Sequence, residues 1–227
     1  MTRQTLILRN ATIFDGLGNP STEGDISIAG DRIESVGTVT GDADQEIELD
    51  GLSVAPGFID VHTHDDFAAI LHPDMAFKAM GGVTSCVVGN CGMGAAPYPQ
   101  ASVLARAFHP GEDLPEWAGY KGYLDYIDSR NPSINIATLA GHGTIRMAVL
   151  GSESREPTAS EMRRMKALLQ EGLDAGVLGL SSGLIYEPGR HAETAELIEL
   201  ASIMTETTAI YTTHMRNEGT KLLASVE

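Results

Sequence analysis

Two histidines stand two residues apart in Ala55-Pro56-Gly57-Phe58-Ile59-Asp60-Val61-His62-Thr63-His64-Asp65-Asp66. An extended chain sends residues i and i+2 to the same side, so His62 and His64 share a face. Two imidazoles on one face suit a divalent metal, since neutral imidazole is its commonest ligand. The competing reading is a buried pair bonded to backbone; the preceding Pro-Gly and the following acidic pair favour the metal. Asp65 and Asp66 either orient the histidines or open the next helix. Cys91 closes a second apolar run, Val83–Cys91. A thiolate is a strong zinc ligand, and Gly89 and Gly92 let the backbone approach a ligand closely. Cys86, inside the same run, reads as a small buried hydrophobe. Two further runs end in histidine, His142 in Ala140-Gly141-His142-Gly143 and His214 after Tyr211-Thr212-Thr213. His142 has either a place at the site or a structural loop role. A strand histidine such as His214, taken alone, is most simply satisfied by backbone. Ser181, Ser182 and Tyr186 could line a pocket. Arg216 either neutralises a substrate carboxylate or holds Glu218, the second being the simpler. His72, His109 and His191 read as surface residues.

These side chains need elements to hold them. Thr5–Arg9, Asp25–Ala29, Arg32–Val36 and Glu46–Leu49 are short runs parted by turn signals such as Asp15-Gly16 and Asp50-Gly51. They predict a small β-sandwich, present in part, or a ribbon over residues 1–55, with a tight hairpin at Ile28–Ile33. From Val54 the rhythm turns to strand, helix, strand. The strand candidates are Gly57–His64, Val83–Cys91, Ile134–Ala140, Val177–Ser181 and Ile210–His214. Their near-continuous apolar character predicts parallel strands covered on both faces. Ala159–Ala175 predicts a helix, capped by Thr158 with Glu161 and stopped by Gly176. A second helix is expected over about Ala192–Glu206, partial helix over 66–80 and 100–130, a long loop over 92–118, and a last helix over Gly219–Glu227. Residues 56–227 therefore read as serial β-α units of a parallel α/β fold.

Composition narrows the function classes. The 227 residues carry 15 basic and 31 acidic side chains, a net charge of −16. That excludes nucleic acid or an anionic membrane as the main partner. No apolar run approaches the ~20 residues of a spanning helix. Two cysteines exclude a disulfide scaffold. The N-terminus, Met1-Thr2-Arg3 onward, holds no signal-peptide core. Together these point to a cytoplasmic enzyme.

Asn10–Gly16, Asp25–Ile28, Asp31–Ile33 and Pro56–His64 resemble the start of the metal-dependent amidohydrolase superfamily. Val88-Gly89-Asn90-Cys91-Gly92 and Thr213-His214-Met215-Arg216-Asn217-Glu218 look like its N-acyl-D-amino-acid deacylase (D-aminoacylase) branch. The resemblance implies an α/β fold, a (β/α)8 TIM barrel beside a small β-sandwich, with about five β-α units present here. It implies one or two zinc ions on His62, His64, Cys91 and His214, and hydrolysis of an N-acyl-D-amino acid. Hydantoinase-like members of the superfamily instead place a carbamylated lysine at a strand end. None of Lys78, Lys121, Lys166 or Lys221 ends a strand candidate. A cyclic amidase is thus the weaker alternative. The family's general acid is an aspartate at the eighth strand, expected beyond residue 227, as is a further histidine ligand. The chain is therefore expected to be an N-terminal portion with little activity alone, or a zinc-binding fragment that needs a partner half or an oligomer.

Overall fold

A computed structural model describes residues 4–98 and 100–226. Met1–Arg3, included in the signal-peptide reading, and Glu227, the end of the expected last helix, lie outside those residues. The chain divides into two units, with the division between Gly57 and Phe58.

The first unit is one mixed five-stranded sheet: β1 (Leu6–Ile13), β2 (Thr22–Ala29), β3 (Arg32–Gly37), β4 (Gln45–Glu48) and β5 (Ser53–Val54). Its strands pair in a single sheet because β1 is bonded along both edges, antiparallel to β2 and parallel to β4 and β5. The Ile28–Ile33 hairpin forms as expected, with Ala29 opposite Arg32 and Gly30 at φ 62°. Ala11, Ile13 and Ile26 form the unit's buried core.

The second unit begins with β6 (Phe58–Asp60), α1 (Ala68–Leu71), α2 (Ala76–Ala79) and β7 (Val83–Val88). There follow α3 (Gln100–Phe108), α4 (Gly119–Arg130), β8 (Asn135–Thr138), β9 (Ala140–Gly141), α5 (His142–Leu150) and α6 (Ala159–Ala175). β10 (Gly179–Gly183), α7 (Thr194–Ala201), β11 (Ile210–His214) and α8 (Leu222–Val226) complete it. The strands are parallel and each neighbours the next in sequence, in two three-stranded sheets, β6-β7-β8 and β9-β10-β11. The expected third strand breaks at Leu139, so its first half pairs with β7 and its second with β10. The arrangement is a mixed α/β fold; its strands form sheets, not a closed barrel.

Several expectations are corrected here. The long loop 92–118 contains α3. β6 ends at Asp60, so His62 and His64 follow the strand instead of sitting in it. Cys91 lies past β7 in a turn, at φ 55°. Burial on both faces holds for β10 but not for β6 or β11, the outer strands of their sheets, where Phe58 and Ile59 are 69% and 64% exposed.

α6 forms over the expected residues, with its capping box complete. Met162, Met165 and Leu169 recur at helical spacing and bury against Ile145, Leu180 and Leu200. Burying three such side chains contributes about 1.5–3 kcal/mol each. The apolar face thereby fixes α6 over β10, whose far end reaches the chemistry.

Candidate metal centre

Local sequence builds the Cys91 turn. Gly89 has φ 77°, and a Cβ there would run into the Leu139 carbonyl. Gly92 has φ 73°, and a Cβ would come within 2.9 Å of Gly183 N. Only glycine fits such left-handed, crowded backbone. Ser181 Oγ donates to the Gly89 carbonyl and accepts from Gly92 N–H at 3.0 Å. Asn90 Nδ2 donates to Val87 O at 2.8 Å. The Cys91 backbone is thus clamped from β7 and β10 together.

The three sequence-expected donors converge. One ligand atom each of His62, His64 and Cys91 lies within 4.8 Å of the other two. His62 Nε2 is 3.2 Å from Cys91 Sγ, and the two imidazole centroids are 5.9 Å apart. His214 adjoins from β11, its Nδ1 3.6 Å from Cys91 Sγ and 3.3 Å from the Tyr186 hydroxyl. His214 is outside the tight group of three.

Burial keeps both kinds of donor neutral in the metal-free chain. Burial, and then His62, lower the pKa of His64, so it stays neutral with a lone pair to give. Burial raises the Cys91 thiol, and Glu218 adds to this. The buried His64 Nδ1 has no hydrogen-bond partner among the described residues. Soft sulfur and imidazole nitrogen around a shared centre, with that nitrogen left over, match zinc's donor preferences. The residues present fit the metal.

Asp65 and Lys78 surround the histidine pair. Lys78 Nζ lies 2.7 Å from Asp60 Oδ2, 2.9 Å from Asp65 Oδ2 and 3.2 Å from Thr63 Oγ1. Asp60 Oδ1 also accepts from His62 N–H at 3.1 Å. Sequence reading missed Lys78, because nothing local marks a helix lysine as folding back onto a strand end. Asp66 is buried, and desolvation pushes its carboxyl up to about 7.

The other candidates part from the cluster. His142 is fully buried at the start of α5, with Nε2 2.8 Å from Glu196 Oε1. Arg146 holds the same carboxylate at 2.8 and 3.0 Å. Ser182 Oγ bonds the hydroxyls of Tyr211 and Thr213 at 2.6 and 2.7 Å. His109 and His191 are half-buried, against the surface expectation; His109 packs on Phe67 and His191 sits 2.7 Å from Glu187. Glu218 pairs with His214 at 3.1 Å. Arg216 therefore has no ion pair among the described residues, and its buried Nη2 lacks a partner. It lines an open cleft with Arg190 and Lys221.

Comparison with known proteins identifies the family. The amidohydrolase family matches residues 45–216. An N-acyl-D-glutamate deacylase of Alcaligenes xylosoxydans xylosoxydans is 39% identical, over 98% of this chain and 46% of that protein. The structure of N-acyl-D-glutamate deacylase from Bordetella bronchiseptica, complexed with zinc and a phosphonate inhibitor, superposes with TM-score 0.87 at 35% identity, over 99% of this chain and 48% of that one. A D-aminoacylase studied for its binuclear metal centre superposes with TM-score 0.88 at 35% identity, over 98% and 48%. The chain spans about half the length of the relatives it matches. With three-quarters of its length inside the matched region, this chain belongs to the amidohydrolase family.

Proposed function

We propose that this chain supplies the metal-binding part of a zinc-dependent N-acyl-D-amino-acid deacylase, which hydrolyses an amide to a D-amino acid and a carboxylate. The observation that carries the reading is the convergence of His62, His64 and Cys91 within 4.8 Å, with His214 beside the sulfur. These four side chains are the proposed ligands of one or two zinc ions. Zinc, when bound, supplies a Lewis acid that activates water and polarises the amide carbonyl.

The chain's own residues do the rest. The Lys78 ion triangle holds Asp60 and Asp65 on either side of the histidine pair and so fixes where both rings point. Tyr186 holds His214 from the pocket side. Arg216, unpaired, is placed to receive the substrate carboxylate in bidentate fashion. Residues 1–55 are proposed as part of a small β-domain and 56–227 as the opening units of a (β/α)8 barrel, with the general acid elsewhere in the complete enzyme.

The test is metal-to-protein ratio on the zinc-reconstituted chain, followed by assay of N-acyl-D-glutamate, its L enantiomer and a hydantoin with the complete enzyme that contains it. Stoichiometric zinc lost in Cys91→Ala, and turnover confined to the D-amide, is the expected result. Full zinc retention in Cys91→Ala, or turnover of the hydantoin alone, would overturn the reading.

A further inference from the structure

Two cavities flank the 183–190 loop, and they differ in chemistry. One holds Arg190, Arg216 and Lys221. The other, about 160 Å3, is walled by Met93, Val103, Leu104, Met147 and Pro188, with Cys91 and Tyr186 at its edge. The only charged residue lining it is Glu187, a carboxylate. Its walls come from α3, α5 and the loop, while its Cys91 edge belongs to the metal cluster.

We propose that this apolar cavity is the acyl subsite, and that it takes the short aliphatic chain of the N-acyl group. The assignment rests on the deacylase reading above. An N-acyl-amino acid carries an apolar arm and an anionic arm on opposite sides of the scissile amide. Arg216 draws the anionic arm to the other cavity, and this cavity offers it no cation, its Glu187 facing Arg190 and His191. With the amide at Cys91, the acyl chain then enters between α3 and α5. A volume of about 160 Å3 suits a chain of a few carbons.

The test uses the full chain labelled with 13C at methionine methyls and titrated with N-acylglycines from acetyl to hexanoyl. Met93 and Met147 are expected to shift saturably while the core residues Met162 and Met165 stay fixed. Affinity should tighten by about fourfold per added methylene, from ~0.8 kcal/mol per buried CH2. Leu104→Trp should flatten the series, and Met147→Ala should extend it to longer chains. N-acetyl-D-norleucine, which places the same carbons on the amino-acid side, should leave Met93 and Met147 near the acetyl response. Absence of the length series, or a stronger response to the norleucine compound, overturns the assignment. Cobalt(II) loading, read by its thiolate charge-transfer band, separates the two ideas. A normal band without a length series removes the acyl subsite alone. A length series without the band removes the metal reading and the acyl assignment with it.

Discussion

Two histidine clusters sit near strand ends of the same unit, and they resolve in opposite ways. His142 lies within 2.8 Å of Glu196, whose charge Arg146 answers from the other side. Arg146 Nη2 donates to the carbonyls of Glu153 and Arg155, while Arg146 Nε and His142 Nδ1 have no partner among the described residues. That cluster balances its charge internally and ties α5 to α7. The His62–His64–Cys91 cluster turns one nitrogen or sulfur of each member toward a shared centre, with no arginine paired to it among the described residues. A histidine at a strand end thus says little about function until its partners are known. What marks a site is a set of lone pairs turned toward each other with nothing yet between them.

Breaking one member of each cluster should give opposite phenotypes. Glu196→Ala strands a buried arginine, so unfolding free energy should fall by about 3–5 kcal/mol in urea titration. Zinc affinity of the folded fraction should change less than twofold. Cys91→Ala should do the reverse, weakening zinc by at least about a hundredfold in competition with a chromophoric chelator. If Glu196→Ala abolished zinc binding in folded protein, the division between the clusters would fail.

Lys78→Met sharpens the comparison, because Lys78 touches neither cluster's donors but frames one. Its loss should weaken zinc by roughly 10–100-fold, with no effect on the Glu196 network. Alkylation of the two thiols gives a smaller contrast. Cys86, pushed up to about 12 by burial, should resist iodoacetamide in native protein with or without zinc. Cys91, also raised by burial but lining a cavity, should react slowly in the metal-free chain and be protected by zinc, as read by peptide mass.

The smallest expected effect lies away from both clusters. Thr158→Ala should cost about 1 kcal/mol at pH 7 by removing the α6 cap. Hydrogen bonds from Arg155 and Thr158 hold Glu161 below the usual carboxylate range. A lowered folded pKa adds stability above the unfolded value near 4.3 and loses it as pH falls. The gap between variant and parent should therefore narrow in thermal melts taken toward pH 3.

Local signals were legible wherever a few adjacent residues decide the outcome. Thr158, Glu161 and Gly176 bound α6 because capping is an interaction between near neighbours. Gly30 made the hairpin readable for the same reason. The split of the third strand at Leu139 was not legible, since an apolar run carries no mark of which neighbour it will pair with. Nor was the short span of β6, where Pro-Gly and the apolar residues suggested a longer strand than the sheet registers.

The sequence by itself determined the donor set: two imidazoles at i, i+2, a cysteine between glycines, and a histidine before Arg-Asn-Glu. Residue type fixes what metal chemistry is available, and type is read directly. Only the tertiary structure decided which histidines meet the cysteine. His142 and His214 looked alike as strand-end residues, but β11 brings His214 to Cys91 while α7 brings Glu196 to His142. It likewise freed Arg216 by turning Glu218 to His214. The reason is that partners 29, 54 and 123 residues apart meet only through strand pairing and helix packing. Spacing along a chain does not encode those distances.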